Sequence, residues 1–489
     1  MQKGVCVAQH TPVQCASVWE KSMNKKKALS LVLVTALAGS ALITGCGSQS
    51  TASTDTAATT AATQESAAAE STAAAETETA NGELPTIKFV HGYYQTAEEW
   101  PAAEVMRQIY ADFAELHKDE YTFEAVADET GGEGIYNTAL NDLSSGEFYD
   151  IADFGGWDIT PVASEAGAIL DLKPYLDEDQ AFKDGVGVCY DQNLTDDGKI
   201  YTVREQVEAI GFWYNENLFN EAGADTPDKW QTWDDFNTAV DKLVAAGINP
   251  FGLNGGWPSN ILTGASLQRN EASREFYQNG LNVTDFNTDA FKETVAFMQD
   301  DALGKIDTAY FGPGGDDDNA YTDTFKEGKS AMLFNGVWAA GDAAEVDGAK
   351  PAVFPTDEPG KKAALMTGGC GLVVSSKLDE AQTAAAIDFL KYMTSPEIAA
   401  KIVEAGVGMA PSTTVDYKAI EGNVTDAAGK LLVEACNLCQ SADYQSVGFG
   451  TAFGGGIEGE MSAKYAGLKD GSKTPDDVAQ ELNDFVAAE

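Results

Sequence analysis

The chain from Leu84 onward is poor in the side chains that enzymes most often use for hydrolysis. It holds two histidines, His91 and His117, and neither lies near a Gly-x-Ser-x-Gly segment or another nucleophile motif. A phosphate-binding loop of the form Gly-x4-Gly-Lys-Ser/Thr is also missing from the sequence. We therefore predict no catalytic residue and no ATP hydrolysis by this chain, and we expect that it is not an enzyme.

Two other groups of residues have side chains that can bind metals. Cys436 and Cys439 have Cys-x-x-Cys spacing, but a zinc site needs two further ligands and a thioredoxin-like motif needs its own βαβ context. The apolar residues 431–433 favour a packed helix with both thiols on one face. The acidic run 316–318 lacks the alternating ligands and distal glutamate of a calcium loop, so we expect a solvated loop. We predict no metal and no cofactor.

The segment before residue 47 predicts export and lipid attachment. Three lysines at 25–27 introduce an apolar run, 28–42, that is too short to span a bilayer stably, as in a secretion signal. Small residues then precede Cys46, which resembles the lipobox of bacterial lipoproteins. That resemblance implies that Cys46 carries acyl chains such as palmitate, on the extracellular face of the cell membrane of a Gram-positive-type bacterium. The alternative is an uncleaved membrane anchor.

Composition divides the chain into successive segments. Met23 opens a much better signal sequence than Met1, so we expect residues 1–22 to be untranslated and 23–45 to form the signal peptide. Residues 46–83 hold the lipidated cysteine and a linker of Ser, Thr, Ala, Gln and Glu that cannot bury enough apolar surface to fold. The rest, 84–489, exceeds the size at which one hydrophobic core keeps growing, so two lobes are expected.

The charge balance excludes some classes of partner. Aspartate and glutamate number 77 against 31 lysines and arginines, which gives a formal net charge of −46. Such an acidic chain is unsuited to nucleic acid and to docking on an anionic membrane surface. We predict no nucleic-acid partner, and contact with the membrane through the lipid anchor alone.

Strands alternate with helices at the start of the folded part. Apolar patterns predict strands at 86–90, 121–127 and 149–154, and helical spacing predicts helices at 98–117, 136–143 and 162–167. This alternation is typical of βαβ units, so we predict an α/β fold with largely parallel sheets.

Several segments follow one another in a familiar order. This order resembles the order of segments in family 1 extracellular solute-binding proteins of bacterial sugar ABC importers, the family of the maltose-binding proteins. The resemblance covers nearly all of 84–489. The segments that carry it are 167–176, 198–203, 211–215, 232–236, Phe325-Lys326-Glu327-Gly328-Lys329, Asn335-Gly336-Val337-Trp338 and 389–397.

The resemblance implies a type II periplasmic-binding-protein-like fold of two α/β lobes joined by crossover hinge strands. Lobe 1 would comprise 84–202 with 354–394, and lobe 2 would comprise 203–353 with 395–489. Such proteins hold their ligand in the cleft between the lobes, and the lobes close around it. The implied partners are a carbohydrate ligand, a mono- or oligosaccharide, and the permease subunits of an ABC importer with their ATPase. We expect a monomer.

A sugar needs flat aromatic rings for its C–H faces and carboxylates or amides for its hydroxyls. Trp338 resembles the stacking tryptophan of maltose-binding proteins, and Asp158 and Glu208 match family positions that contact sugar hydroxyls. Tyr94, Asn254, Trp257 and Phe453 are weaker candidates, for which core packing or loop structure is the alternative. The predicted ligand-binding residues are therefore Tyr94, Trp157, Asp158, Glu208, Asn254, Trp257, Trp338 and Phe453.

Two other functions are compatible with parts of the sequence. A secreted glycoside hydrolase would also use paired carboxylates and tryptophans, but it does not explain the motif order across both lobes. An adhesion or structural lipoprotein explains the anchor but not the second lobe. Binding without turnover would distinguish the first alternative, and a defined small-molecule pocket the second.

Overall fold

The computed structural model describes residues 84–97, 101–130, 132–153, 159–195, 197–314, 320–366 and 371–488. The strands are β1 (Thr86–His91), β2 (Thr122–Ala127), β3 (Ile151–Asp153), β4 (Ala209–Ile210), β5 (Phe212–Asn215), β6 (Asn249–Phe251), β7 (Leu253–Asn254), β8 (Phe311–Gly312), β9 (Ser330–Leu333), β10 (Ala349–Ala352), β11 (Phe354–Pro355), β12 (Lys362–Met366), β13 (Leu372–Val374) and β14 (Tyr444–Val447).

The α-helices are α1 (Pro101–Leu116), α2 (Gly132–Ser145), α3 (Thr160–Glu165), α4 (Lys173–Glu178), α5 (Gln180–Val186), α6 (Cys189–Gln192), α7 (Glu216–Ala222), α8 (Trp233–Ala245), α9 (Trp257–Ser266), α10 (Glu271–Gln278), α11 (Asp289–Phe297), α12 (Ala320–Lys326), α13 (Ala340–Ala344), α14 (Glu380–Met393), α15 (Pro396–Glu404), α16 (Tyr417–Glu421), α17 (Ala427–Gln440), α18 (Phe449–Phe453), α19 (Gly455–Ser462), α20 (Tyr465–Asp470) and α21 (Pro475–Ala488). The predicted strands at 86–90, 121–127 and 149–154 correspond to β1, β2 and β3, and the predicted helices to α1, α2 and α3.

The first sheet has the order β13-β3-β1-β2. β1 pairs parallel with β2 and with β3, so Phe89 lies beside Ala125 on one side and Ile151 on the other. β13 joins antiparallel to β3 from much later in the chain. Because β1 and β3 run parallel, their carboxyl ends, His91 and Asp153, meet at one edge of the sheet.

Two further four-stranded sheets and a two-stranded parallel sheet of β7 and β8 follow. The second sheet has the order β10-β5-β9-β6, with β6 and β9 parallel. In the third, β12 pairs with β11, β14 and β4. The parallel pairs follow the predicted βαβ alternation, but five of the ten described strand pairs are antiparallel: β10 on β5, β5 on β9, β11 on β12, β4 on β12 and β13 on β3. The sheets are therefore mixed rather than largely parallel.

The third sheet lies between two hydrophobic cores. Along β12, Ala364 and Met366 pack into the core that includes Phe89 and Phe389. Leu365 packs into the other core, which includes Phe236. Alternate side chains of a strand point to opposite faces, so this one strand contributes to both cores.

The chain changes sheets at a close backbone crossing. Val203 and Leu372 exchange backbone hydrogen bonds of 3.1 and 2.7 Å, and the Thr202 hydroxyl accepts a bond of 2.9 Å from the Gly371 amide. A Cβ on Gly371 would stand 2.3 Å from the Val203 carbonyl oxygen, so only glycine allows this approach. The division into lobes 84–202 with 354–394 and 203–353 with 395–489 stays a prediction.

Candidate functional site

The candidate ligand-binding residues follow strands whose carboxyl ends share an edge. Tyr94 comes shortly after β1 in the first sheet. Trp257 follows β6 and the short strand β7, and Trp338 follows β9, the parallel neighbour of β6 in the second sheet. Open α/β sheets bind ligands outside the carboxyl ends of their strands, because loops from several strands converge there. The two sheets therefore supply one candidate surface each.

Trp257 and Trp338 form an aromatic pair in the second half of the molecule. Their ring centroids lie 5.6 Å apart and the rings are tilted by 38°. Trp257, the first residue of α9, is 8% exposed, and Trp338 is half-buried. Trp257 therefore braces Trp338, and the indole of Trp338 supplies most of the exposed apolar area of the pair.

The backbone beneath Trp338 holds its indole in place. A Cβ on Gly336 would stand 2.1 Å from the Trp338 ring, so the indole lies directly against this glycine. The Gly336 carbonyl accepts a 3.0 Å hydrogen bond from Nε1 of Trp213, and its amide donates to Oδ1 of Asn335 at 2.8 Å. The segment after β9 is thus tied to the buried strand β5, and Trp338 has little freedom to move.

A buried polar network lies beyond Trp257. Asn260 lies one turn further along α9, and its Nδ2 donates to Ser462 at 2.9 Å and to Oε1 of Glu458 at 3.3 Å. The Tyr465 hydroxyl donates to Oδ1 of Asn260 at 2.8 Å and shares a 2.7 Å bond with Thr263. Burial raises the pKa of Glu458 to about 7.

Buried charged residues mark the edge of the first sheet and the crossing segment. Asp153 ends β3 and is 3% exposed, while Arg204 and Glu205 follow Val203 and are 6% and 4% exposed. Burial raises the pKa of Glu205 well above its ordinary value, and the nearby Asp153 carboxylate raises it further. Burial, with the charges of Glu205, Asp153 and Glu208, likewise raises the pKa of Tyr93.

His91 does not act as a titrating group near neutral pH. It ends β1 at 1% exposure, and its Nδ1 accepts a 3.2 Å hydrogen bond from the Tyr93 amide. Burial and the positive charge of Arg107 lower its pKa to about 4, so the imidazole is neutral. Neutral His91 therefore helps to set the turn that leads to Tyr94.

The remaining candidates differ in how far their side chains are exposed. Tyr94 is 37% exposed at the edge of the first sheet, and Glu208 is exposed beside the crossing segment. Asn254 is 1% exposed; its Oδ1 accepts from the Gly256 amide at 2.9 Å and its carbonyl from Ser259 at 2.6 Å, so it supports the start of α9.

Phe453 lies in the core rather than on a cleft wall. It is 4% exposed and packs against the rings of Phe276, Phe286, Phe449 and Tyr277, at centroid distances of 4.9 to 5.9 Å. The alternative of core packing fits these contacts, so we leave Phe453 out of the proposed site. Trp157, Asp158 and Cys46 lie outside the described residues.

The Cys-x-x-Cys segment is part of the core. Cys436 and Cys439 are 0% and 1% exposed on α17, and burial raises the pKa of both thiols. Thiols in such surroundings are inert. The expectation of a packed helix face is confirmed. Among the residues with described positions, no group of three or more His, Cys, Asp or Glu side chains is arranged to bind a metal.

A surface cavity of about 590 Å³ lies away from the candidate residues. Its walls include Asn249 and Lys329, which stand where β6 and β9 begin, so it opens at the opposite end of the second sheet from Trp257 and Trp338. Lys329 pairs with Glu327 at 2.5 Å, and both side chains are more than half exposed. We do not include this cavity in the site.

The polar network around Asn260 was not predicted from sequence. Asn260 lies three residues after Trp257, a spacing that places both on one side of a helix, and this was a usable signal. Glu458 follows a glycine-rich stretch, but nothing in the sequence pairs it with Asn260, 198 residues away. Arg204 and Glu205 likewise gave no sign that they would be buried.

A model of the bacterial extracellular solute-binding protein family matches residues 100–400. The chain therefore belongs to that family. Its fold is the type II periplasmic-binding-protein fold, as in the solved structures that resemble it. Across the ranges that the structure covers, no helix combines the length and apolar character needed to cross a membrane.

Two solved structures of other solute-binding proteins resemble this chain. A Streptococcus pneumoniae solute-binding protein, solved with the blood group A-trisaccharide, is 31% identical, with a TM-score of 0.66 over 83% of this chain and 100% of that one. A cyclic alpha-maltosyl-1,6-maltose binding protein from Arthrobacter globiformis, at 19% identity and a TM-score of 0.63 over 83% and 98% of the two chains, shares the fold.

A curated relative, the multiple sugar-binding protein of Streptococcus mutans, is 26% identical over 40% of this chain and 48% of its own length. A probable sugar-binding periplasmic protein of Mesorhizobium japonicum is 25% identical over 47% of this chain and 54% of its own length. The chain thus spans about half the length of the curated relatives that it matches.

Proposed function

We propose that this chain is the substrate-binding component of an ABC importer and captures a neutral mono- or oligosaccharide between its two lobes. The captured sugar passes unaltered to the permease subunits in the membrane, whose ATPase drives transport. A lipid on Cys46 and the linker 46–83 hold the binding protein at the extracellular face of the membrane.

The observation that carries this proposal is the aromatic pair of Trp257 and Trp338. The half-buried Trp338, which packs against Trp257, offers apolar surface to a C–H face of a pyranose. Tyr94 lies at the edge of the first sheet and would meet the sugar from the other lobe, and Glu208, beside the crossing segment, would contact one of its hydroxyls. The names of the relatives, which describe sugar binding, support the same ligand class.

Closure of the lobes follows from contacts on both sides of one ligand. A ligand shifts an equilibrium between open and closed forms only if it binds the closed form more tightly. Residues after β1 and residues after β6 and β9 belong to different sheets, so a sugar that touches both favours closure. The backbone crossing at Val203 and Leu372 is then the place where the lobes pivot.

The test is a thermal-shift screen of the purified protein against neutral oligosaccharides, including the blood group A trisaccharide, raffinose and chito-oligosaccharides. A ligand that binds only the native state raises the Tm, by an amount that grows with its concentration. We expect at least one sugar to raise the Tm and to be recovered intact after incubation. Recovery of a hydrolysed product would support a glycoside hydrolase instead, and no shift with any sugar would contradict the proposal.

A further inference from the structure

Arg107 of α1 holds the backbone on both sides of Tyr94. Its Nη1 donates to the Tyr93 carbonyl at 2.7 Å and to the Gln95 carbonyl at 2.8 Å. One nitrogen therefore binds both of the residues that flank Tyr94. Hydrogen bonds from a charged donor are roughly twice as strong as those between neutral groups, so the guanidinium ties the segment after β1 firmly to the helix.

The guanidinium is itself held in place by α1. Nη2 of Arg107 donates to Oε2 of Glu104 at 2.9 Å, one turn earlier in the helix. Met106 and Ile109 on the same helix are buried in the core, which fixes the position of its backbone. The sequence of α1 contains no other lysine or arginine. Another cation of this helix therefore cannot replace Arg107 at the two carbonyls.

The residues before Tyr94 are anchored as well. Tyr93 is buried, and its amide donates to Nδ1 of His91 at 3.2 Å. The Tyr94 amide donates to the Gly92 carbonyl at 3.1 Å. The Tyr94 side chain, in contrast, is exposed. A fixed backbone thus presents an exposed phenol ring, as expected of a binding group that is oriented before its ligand arrives.

We propose that Arg107 is a positioning residue for sugar binding, which acts through Tyr94 and does not touch the sugar. This inference rests on the proposed function, in which Tyr94 meets the sugar from the lobe of the first sheet. A side chain that is already oriented loses little freedom on binding, so Arg107 raises affinity without a contact of its own. Without Arg107, the carbonyls on both sides of Tyr94 lose this donor and the ring adopts several orientations.

The experiment is a double-mutant cycle on the Kd, measured by calorimetry with the full chain. The probe is whichever of the blood group A trisaccharide, raffinose and a chito-oligosaccharide raises the Tm most. Arg107→Met removes the hydrogen-bond donors but keeps a long side chain, and Tyr94→Ala removes the ring. We expect Arg107→Met to weaken binding by about two- to tenfold, the size of an ordering cost. In the Tyr94→Ala background the same substitution should change the Kd by less than about 1.5-fold, because the two residues act as one unit.

Lys118→Met is the matched control, because it also removes one positive charge. Lys118 follows the far end of α1 and pairs with the exposed Glu115, so its loss should leave the Kd unchanged in both backgrounds. An equal loss of affinity from Arg107→Met in both backgrounds would overturn the inference, because Arg107 would then act independently of Tyr94. An unchanged Kd in Arg107→Met or in Tyr94→Ala would also overturn it, while sugar capture by the wild type would still stand.

Arg107→Gln takes the place of Arg107→Met if the latter does not fold, since glutamine stays polar but is too short to reach both carbonyls. The ligand-free Tm of each variant separates positioning from stability. The Arg107 substitution should change the Tm equally with and without the exposed Tyr94 ring, whereas it should change the Kd only when the ring is present. A Kd that follows the Tm in every variant would overturn the inference. If the wild type binds no sugar of the panel, the proposed function fails, and this inference fails with it.

Discussion

At the scale of single residues, the candidate site depends on how firmly two indoles are held. Trp338 lies on Gly336, whose carbonyl is bonded to Trp213, and Trp257 begins a helix supported by Asn254. Rigid aromatic groups lose little freedom when a ligand binds, so their contact area contributes more of its free energy to affinity. The glycine after Asn335 is therefore as much a part of the site as the tryptophan.

Replacing Trp338 by alanine should weaken sugar binding by about 2 kcal/mol, or roughly thirtyfold in Kd, the size expected when a central aromatic contact is lost. Calorimetry with the best sugar of the panel measures this change. Tyr310→Ala is the control, because Tyr310 is also half-buried but lines the cavity at the other end of the second sheet. Unchanged affinity in Trp338→Ala, or loss of its ligand-free fold, would refute the assignment.

Glu458→Gln should also change how stability depends on pH without any ligand. The folded pKa of Glu458, about 7, lies above the ordinary 4.5, so between these values the folded chain holds a proton that the unfolded chain has released. The protonated carboxyl group therefore stabilises the fold fully below pH 4.5, and this contribution is lost as the pH rises through 7. We expect the variant to have a higher Tm than the wild type at pH 8 and a similar one at pH 4.5.

The control for this comparison is Glu275→Gln, whose exposed carboxylate should alter the Tm equally at both pH values. Thermal unfolding followed by circular dichroism gives all six Tm values, for three proteins at two pH values. A Tm difference between Glu458→Gln and wild type that is the same at pH 4.5 and pH 8 would show that burial does not raise the pKa of Glu458.

At the scale of secondary-structure elements, local patterns predicted much of the first half of the fold. The strands β1 to β3 and the helices between them follow from apolar periodicity, because each has one face in a core. The short strands β4, β11 and β13 could not be predicted from the sequence. A strand of two or three residues is too short to show a periodic pattern, and its pairing is decided by the rest of the chain. The burial of Arg204 and Glu205 could not be predicted either, because they lie on an irregular crossing segment.

The crossing of β13 with the segment at Val203 should be intolerant of any side chain at Gly371. A Cβ there would stand 2.3 Å from the Val203 carbonyl and 2.9 Å from Cα of Arg204, so the backbone must separate. We expect Gly371→Ala to lower the free energy of unfolding by about 1–3 kcal/mol, the usual cost of overpacking. Urea unfolding measures this loss.

Gly341→Ala is the matched control, because nothing lies within 4 Å of a Cβ at Gly341 and the residue is in α13. Alanine is preferred to glycine inside a helix by about 1 kcal/mol, so this variant should be as stable as the wild type or slightly more so. Equal stability of the two variants would mean that the crossing can relax at little cost.

At the scale of the whole molecule, family resemblance predicted more than local physics could. The order of motifs from 167 to 397 indicated the family, which the family model confirms over 100–400. It also indicated Trp338, because the Asn-Gly-x-Trp segment is part of that order. It could not indicate the bond between Asn260 and Glu458, which depends on how α9 and α19 of this particular chain pack together.

The predicted anchor is tested on the native protein by mass spectrometry. We expect a mature N-terminus at Cys46 that carries acyl chains, and no peptides from residues 2–22. A Cys46→Ala variant should be lost from the membrane fraction, because a linker of Ser, Thr, Ala and Glu has no affinity for lipid. Unmodified Cys46 in membrane-associated material would contradict this prediction.

The most direct test of sugar capture is a crystal structure of the protein with the panel sugar that raises its Tm most. The proposed function predicts an intact sugar that stacks on Trp338 beside Trp257 and also touches residues of the first sheet's edge such as Tyr94. Density for a cleaved sugar, or for a sugar bound elsewhere, such as in the cavity beside Lys329, would contradict the proposal that these residues form the site.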